Sequence, residues 1–149
     1  MVQKKEYGHF SKLKDVSGRN SVNQQAIAKS SLEISPELYE SLQRGPLSNA
    51  QVLHSAKAAG TLAAKNASTL LPYLHTKQLT TINIEFSWKV GSGIWELLIE
   101  ADVKAKHAES VESEALACVS ATALTVFDIC KEEHPSMVIG PTYLSRKRG

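Results

Sequence analysis

Ionisable side chains stand at both ends of one apolar stretch, ESVESEALACVSATALTVFDICK, from Glu109 to Lys131. Glu112 and Glu114 open it; Asp128 and Lys131 close it. Asp128 and Lys131 are three apart, so on a helix they share a face, where the pair can move protons for a ligand or simply brace the surface. The two glutamates are two apart and share a face only if the chain there is extended. On a helix they are start-of-helix acids favoured by the macrodipole. His75, in LLPYLHTKQL, lies just past a helix and before a strand. From there an imidazole can donate to a phosphate or act in proton transfer. Lys65 closes a run of small residues and offers a cation. Singly, each has an ordinary reading as a solvated or structural charge; they gain weight jointly.

The elements that must position them follow from periodicity. Ala115, Leu116, Cys118, Val119, Ala123, Leu124, Val126 and Phe127 recur every three to four positions, predicting a helix over Glu112–Lys131 with one buried side. A second helix is expected from about Ser48 to Ser68, ended by Leu70-Leu71-Pro72. Its face of Val52, Ala56, Ala59, Gly60, Ala63 and Ala64 is small enough for another backbone to approach closely. Ser35-Pro36 reads as a cap and a first-turn proline opening a helix through about Gln43, broken by Gly45-Pro46. Ile82, Ile84, Phe86 and Trp88 alternate with polar residues, as do Trp95, Leu97, Ile99, Ala101 and Val103. With Gly91-Ser92-Gly93 between them they predict a hairpin with one buried face. Gln25–Ile34 reads as a short edge strand, and a last strand is expected at about Met137–Leu144. The order reads as α+β: an antiparallel sheet with helices on one face. Residues 1–14 are charged and patternless and read as a mobile arm before a single domain over 15–149.

Bulk properties exclude several classes. The net charge of +2, from 17 basic and 15 acidic residues, is too small for a nucleic-acid or membrane surface. No secretory signal and no run of about 18 apolar residues is present, and Cys118 and Cys130 fit a reducing, cytoplasmic setting. There is no CxxC or HExxH, so no metal site is expected.

Taken together, AGTLAAK (Ala59–Lys65), LPYLH (Leu71–His75), the Glu109–Lys131 segment and MVIGPTYL (Met137–Leu144) resemble the cyclic pyranopterin monophosphate synthase family, MoaC, of molybdenum cofactor biosynthesis. The family's patterns are approximately AGIxAAKxT, IPLCHP, TGVEMEALTAxSxAALTxYDMCK and MxIxxxxLxxKxGGKSG. The resemblance runs from about Leu13 to Lys147. It implies a ferredoxin-like subunit, dimers assembled into a homohexamer, and an active site at a subunit interface. It implies a small-molecule nucleotide or pterin substrate, no resident cofactor, and a lyase-type reaction. In that reaction 3′,8-cyclo-GTP is rearranged to cyclic pyranopterin monophosphate with release of pyrophosphate. Carried over residue by residue, it makes Asp128 and Lys131 the catalytic pair and Lys65, His75, Glu112, Glu114 and Lys147 substrate-binding residues.

The chain departs from the family pattern at defined positions. In gapless register Asn49 stands where the family has the catalytic lysine of a KGD-type motif. Asn23, Gln24 and Ser31 stand where it has phosphate-binding arginines, and the GGKSG tail is missing. A diverged, catalytically impaired member, binding another nucleotide or pterin or serving as a non-catalytic subunit, is the alternative these departures suggest.

Overall fold

The computed structural model describes residues 22–44 and 49–148. The elements run β1 (Val22–Ile34), α1 (Pro36–Arg44), α2 (Asn49–Lys65), α3 (Ala67–Leu70), β2 (Leu79–Lys89), β3 (Trp95–Ala108), α4 (Glu112–Cys130), β4 (Val138–Ile139) and β5 (Tyr143–Arg148). The strands form one sheet in the order β2-β3-β1-β4, with β5 also paired to β1, and every pairing is antiparallel. β1 and β2 are therefore parallel with β3 between them, the split βαβ arrangement of ferredoxin-like folds. The arm expected over residues 1–14 and the break at Gly45-Pro46 lie outside the described residues.

Alternation sets the buried face. Ala26, Ala28, Ser30, Leu32 and Ile34 of β1 and Leu97, Ile99, Ala101, Val103 and Ala105 of β3 are buried beneath the helices. β1 is thus central and not the edge strand that its composition suggests. Its small inward residues and its outward Lys29 and Glu33 resemble the guarded edge of a sheet. In the fold the alanines instead make room for α4, which packs on β1 and β3. The hairpin forms as expected, with Gly91 at φ 108° and Gly93 at φ 67° in its turn. The Ser35 hydroxyl accepts a hydrogen bond from the Leu38 N–H (3.0 Å), capping α1 as its sequence implies. Tyr39 of α1 meets Trp88 and Trp95 edge-on, at 5.1 and 5.5 Å, closing the hairpin end of the core.

The final strand is split. Gly140 donates its N–H to the Ser31 carbonyl (2.8 Å), and Pro141 has no N–H to continue the ladder. β5 resumes at Tyr143 opposite Lys29, and a bulge then shifts its register between Ala28 and Ile27 of β1. α4 is long and apolar enough by composition to cross a membrane, although no unbroken apolar run marks it. Here it is the core helix: Ala115, Cys118, Val119, Thr122, Ala123, Val126 and Cys130 are buried within the fold.

α2 packs on α4 through its small face. A Cβ at Gly60 would stand 2.1 Å from Thr122 Oγ1 and 2.9 Å from the Cys118 carbonyl oxygen. The neighbouring Thr122 hydroxyl donates to that same carbonyl (2.8 Å). Gly60→Val should therefore destabilise the protein by about 1–3 kcal/mol, the range of overpacked cores. Urea unfolding measures this, and an unchanged midpoint would rule out the close helix contact.

Candidate active site

Helical phase separates the two glutamates. Glu114 lies on the stripe that continues through Cys118 and Thr122, so the turn that buries them buries Glu114 as well, leaving 3% exposed. Glu112 lies two positions earlier, about 200° around the axis, and is only half-buried. The chain there is already helical, so they form two positions and not one paired site.

A buried carboxylate requires a partner. Lys77, from the segment leading into β2, supplies it: Nζ donates to Glu114 Oε2 at 2.8 Å, and both side chains are nearly enclosed (11% and 5% exposed). The same ammonium donates to the His75 carbonyl at 3.1 Å. The turn carrying His75 is tied to α3 by a contact of 3.1 Å between the Ser68 and Thr76 hydroxyls. Lys65, His75, Lys77 and Glu114 thus line one small cleft, whose enclosed space of about 10 Å³ holds about a single water. His75 and Lys65 are exposed at its rim. The fold brings Lys65, His75 and Glu114 together because α2 ends where α4 begins, at the end of the sheet where β2 starts and β3 finishes.

Asp128 and Lys131 sit at the other end of the 19-residue α4. Their ion pair is 2.8 Å long and open to solvent (68% and 47% exposed). The hydrogen bond to Asp128, and then its charge, hold the Lys131 ammonium above the usual lysine range. Lys131 is therefore suited to present a positive charge, with the Asp128 carboxylate beside it as an acceptor. Glu114 and Asp128 are about 21 Å apart along the axis, so a single chain does not bring the two ends together. Lys147 lies in β5, its backbone opposite Ala26.

Two of the three positions at which the family resemblance implies arginines lie together. Asn23 and Gln24 line an open cleft of about 340 Å³ together with Gln25, Thr80, Lys104 and Lys106. Lys104 and Lys106 alternate on the strand and face the same way, a spacing that marks a cationic pair once β3 is recognised. Lys77 carries no such mark: nothing local tells a buried lysine from a solvated one. Among the described residues, no group of three His, Cys, Asp or Glu side chains is placed for a metal ion.

A model of the MoaC family matches residues 13–149. The chain belongs to the MoaC family. A cyclic pyranopterin monophosphate synthase of Halalkalibacterium halodurans is 42% identical over 150 residues, covering 97% of this chain and 91% of that protein. The synthase of Geobacillus thermodenitrificans is 39% identical over 138 residues, with coverages of 93% and 85%. The synthase of Bacillus thuringiensis subsp. konkukian is also 39% identical, with coverages of 93% and 86%. Among solved structures, a designed protein with a ferredoxin fold aligns at a TM-score of 0.41 and 11% identity over 84% of this chain and 88% of that one.

The two cysteines of this MoaC-family chain belong to its core. Both are free and buried. Burial pushes the Cys118 thiol up to about 12 and the Cys130 thiol, which also feels the charge of Glu133, up to about 11. A thiol raised in the fold stabilises it fully below its unfolded value of 9.0, and this is lost as pH rises toward about 12. The stability advantage of wild type over Cys118→Ala should accordingly shrink by about 1–2 kcal/mol between pH ~8 and pH ~10.5. Urea midpoints at the two pH values test this; a constant difference refutes it.

Proposed function

We propose that the chain is a cyclic pyranopterin monophosphate synthase of molybdenum cofactor biosynthesis, converting 3′,8-cyclo-GTP to cyclic pyranopterin monophosphate with release of pyrophosphate. The observation that carries this reading is the gathering of Lys65, His75 and Glu114 in one cleft, in a chain 42% identical to a protein of that name. In this reading Lys65, His75 and Lys147 hold the phosphates, and Glu112 and Glu114 orient the purine or pterin edge. Asp128 and Lys131 do the proton transfers of ring opening and reclosure. Closing the cyclic phosphate forms a bond from a hydroxyl oxygen to the α-phosphorus and breaks the bond to pyrophosphate. The hydroxyl proton must go to a base such as Asp128, while the ammonium of Lys131 offsets charge on the departing group. Lys104 and Lys106 beside Asn23 and Gln24 add cations near the positions of the replaced arginines.

The site in this reading is shared between subunits. Two helices related by a two-fold axis and lying antiparallel bring one chain's Glu114 end beside another chain's Asp128–Lys131 end. The assembly we propose is dimers built into a hexamer, in the cytoplasm.

Purified protein supplied with 3′,8-cyclo-GTP should release pyrophosphate and form the pyranopterin; no turnover from a folded oligomer overturns the assignment. Lys131→Ala should lower turnover by about 10²–10⁴-fold, the range for a positioned acid–base group. Unchanged turnover in that variant would remove Lys131 from the chemistry. Subunit mixing tests the shared site. At substrate concentrations below KM, Glu114→Gln and Asp128→Asn should each turn over poorly alone, yet regain activity when co-assembled, since half of the sites in a mixed dimer then lack both defects. Failure of the mixture to recover any activity counts against a shared site.

A further inference from the structure

Lys77 was not among the residues that type and spacing pointed to, yet its ammonium ties the His75 segment to the first turn of α4 through Glu114 and also holds the His75 carbonyl of its own segment. A lysine in a nearly closed position loses its hydration and its side-chain freedom, so it must be held by specific acceptors. The described residues give it two: the Glu114 carboxylate and the His75 carbonyl. The carbonyl belongs to the backbone, whose place is set by the turn before β2, so the ammonium is anchored independently of Glu114. Glu114 is then engaged on one side only. Its Oε2 takes the lysine, while Oε1 is buried and accepts no hydrogen bond among the described residues. An enclosed carboxylate oxygen that no donor among the described residues satisfies is a place for a ligand's donor.

We propose that Lys77 is a positioning residue for substrate binding. Its ammonium, anchored on the His75 carbonyl, turns the Glu114 carboxylate so that Oε2 is occupied and Oε1 is presented to a ring N–H of the bound purine. This rests on the synthase reading for the identity of the ligand. It goes beyond that reading in assigning which glutamate oxygen meets the ring and which residue aims it. An ionised carboxylate only accepts hydrogen bonds, so Oε1 selects a ring edge that carries donors. Lys77 acts through Glu114 and not on the reacting atoms. Its loss should therefore weaken binding while the chemical step, carried out by Asp128 and Lys131, proceeds at its usual rate once substrate is bound.

The test uses the intact protein, with 3′,8-cyclo-GTP as titrant in calorimetry and as substrate in the pyrophosphate assay. Lys77→Met should raise both Kd and KM by about tenfold or more, as for a lost charge-assisted hydrogen bond, and leave kcat within about twofold. Lys77→Arg keeps the cation and should recover most of the affinity. A folded Lys77→Met protein with wild-type Kd overturns the proposal, as does a fall in kcat at unchanged KM. Should Lys77→Met fail to fold because Glu114 is left buried without its cation, the double variant Lys77→Met/Glu114→Gln replaces that charge with an amide. Its Kd should match that of Glu114→Gln alone, because Lys77 has nothing left to aim. A further tenfold weakening, about one more charged hydrogen bond, would show that Lys77 acts elsewhere and overturn the proposal. Wild-type protein that binds the nucleotide but releases no pyrophosphate overturns the synthase reading alone, and the Kd ratio still decides the role of Lys77. No binding by wild type overturns both.

Discussion

At Gly60, α2 and α4 approach so closely that even a methyl group would collide with Thr122 and the Cys118 carbonyl. The two helices cross at that point with opposite directions. From it α2 runs on to its end at Lys65, and α4 runs back to its start at Glu112. The crossing therefore delivers the end of one helix to the beginning of the other, and the cleft lined by Lys65, His75 and Glu114 lies there. A larger side chain at Gly60 would push the helices apart over the core beneath them. The sheet beneath is matched to this spacing, with Ala26, Ala28, Ala101 and Ala105 on its buried face.

Against that close-packed background the buried pair of Lys77 and Glu114 stands apart. Removing one partner of an enclosed ion pair costs about 3–5 kcal/mol, whereas an apolar pair of similar volume is often no worse than the intact salt bridge. Stability alone thus gives no reason to retain it. Its contacts fit a site: the ammonium reaches both the backbone of His75 and the carboxylate of Glu114, joining two residues 39 positions apart in the chain, counted from the sequence. The pair of Asp128 and Lys131 is the opposite case. It is open to water and screened, so its contribution to folding is small. Its interest lies in the arrangement of an acceptor beside a cation.

Much of this architecture was legible in the chain. The 3.6-residue period over Glu112–Lys131 predicts α4, and strict alternation across Gly91-Ser92-Gly93 predicts the hairpin. The small face around Gly60 predicts a close neighbour, which the fold supplies. The ordered motifs around Lys65, His75, Asp128 and Lys131 point to the MoaC family, whose model covers residues 13–149. The place of β1 was not legible. Alanine and serine on its inner face carry little hydrophobic signal, and whether a strand is central depends on partners far away in sequence. The split of the last strand likewise comes from the local packing of Gly140 against Ser31.

The sequence by itself determined the elements, the family and the types of group available for chemistry, because periodicity and motif order are local properties. Only the tertiary structure decided that Glu114 turns inward while Glu112 does not, and that Lys77 meets it. The separation of the two ends of α4, about 21 Å, follows already from the helix that the sequence predicts. Burial and pairing arise between segments distant in sequence, and the charge of a residue does not reveal which side of a helix will face the core. The apolar stretch with charged ends is accordingly two places: one enclosed and held by a lysine from another segment, the other exposed and held by its own helix.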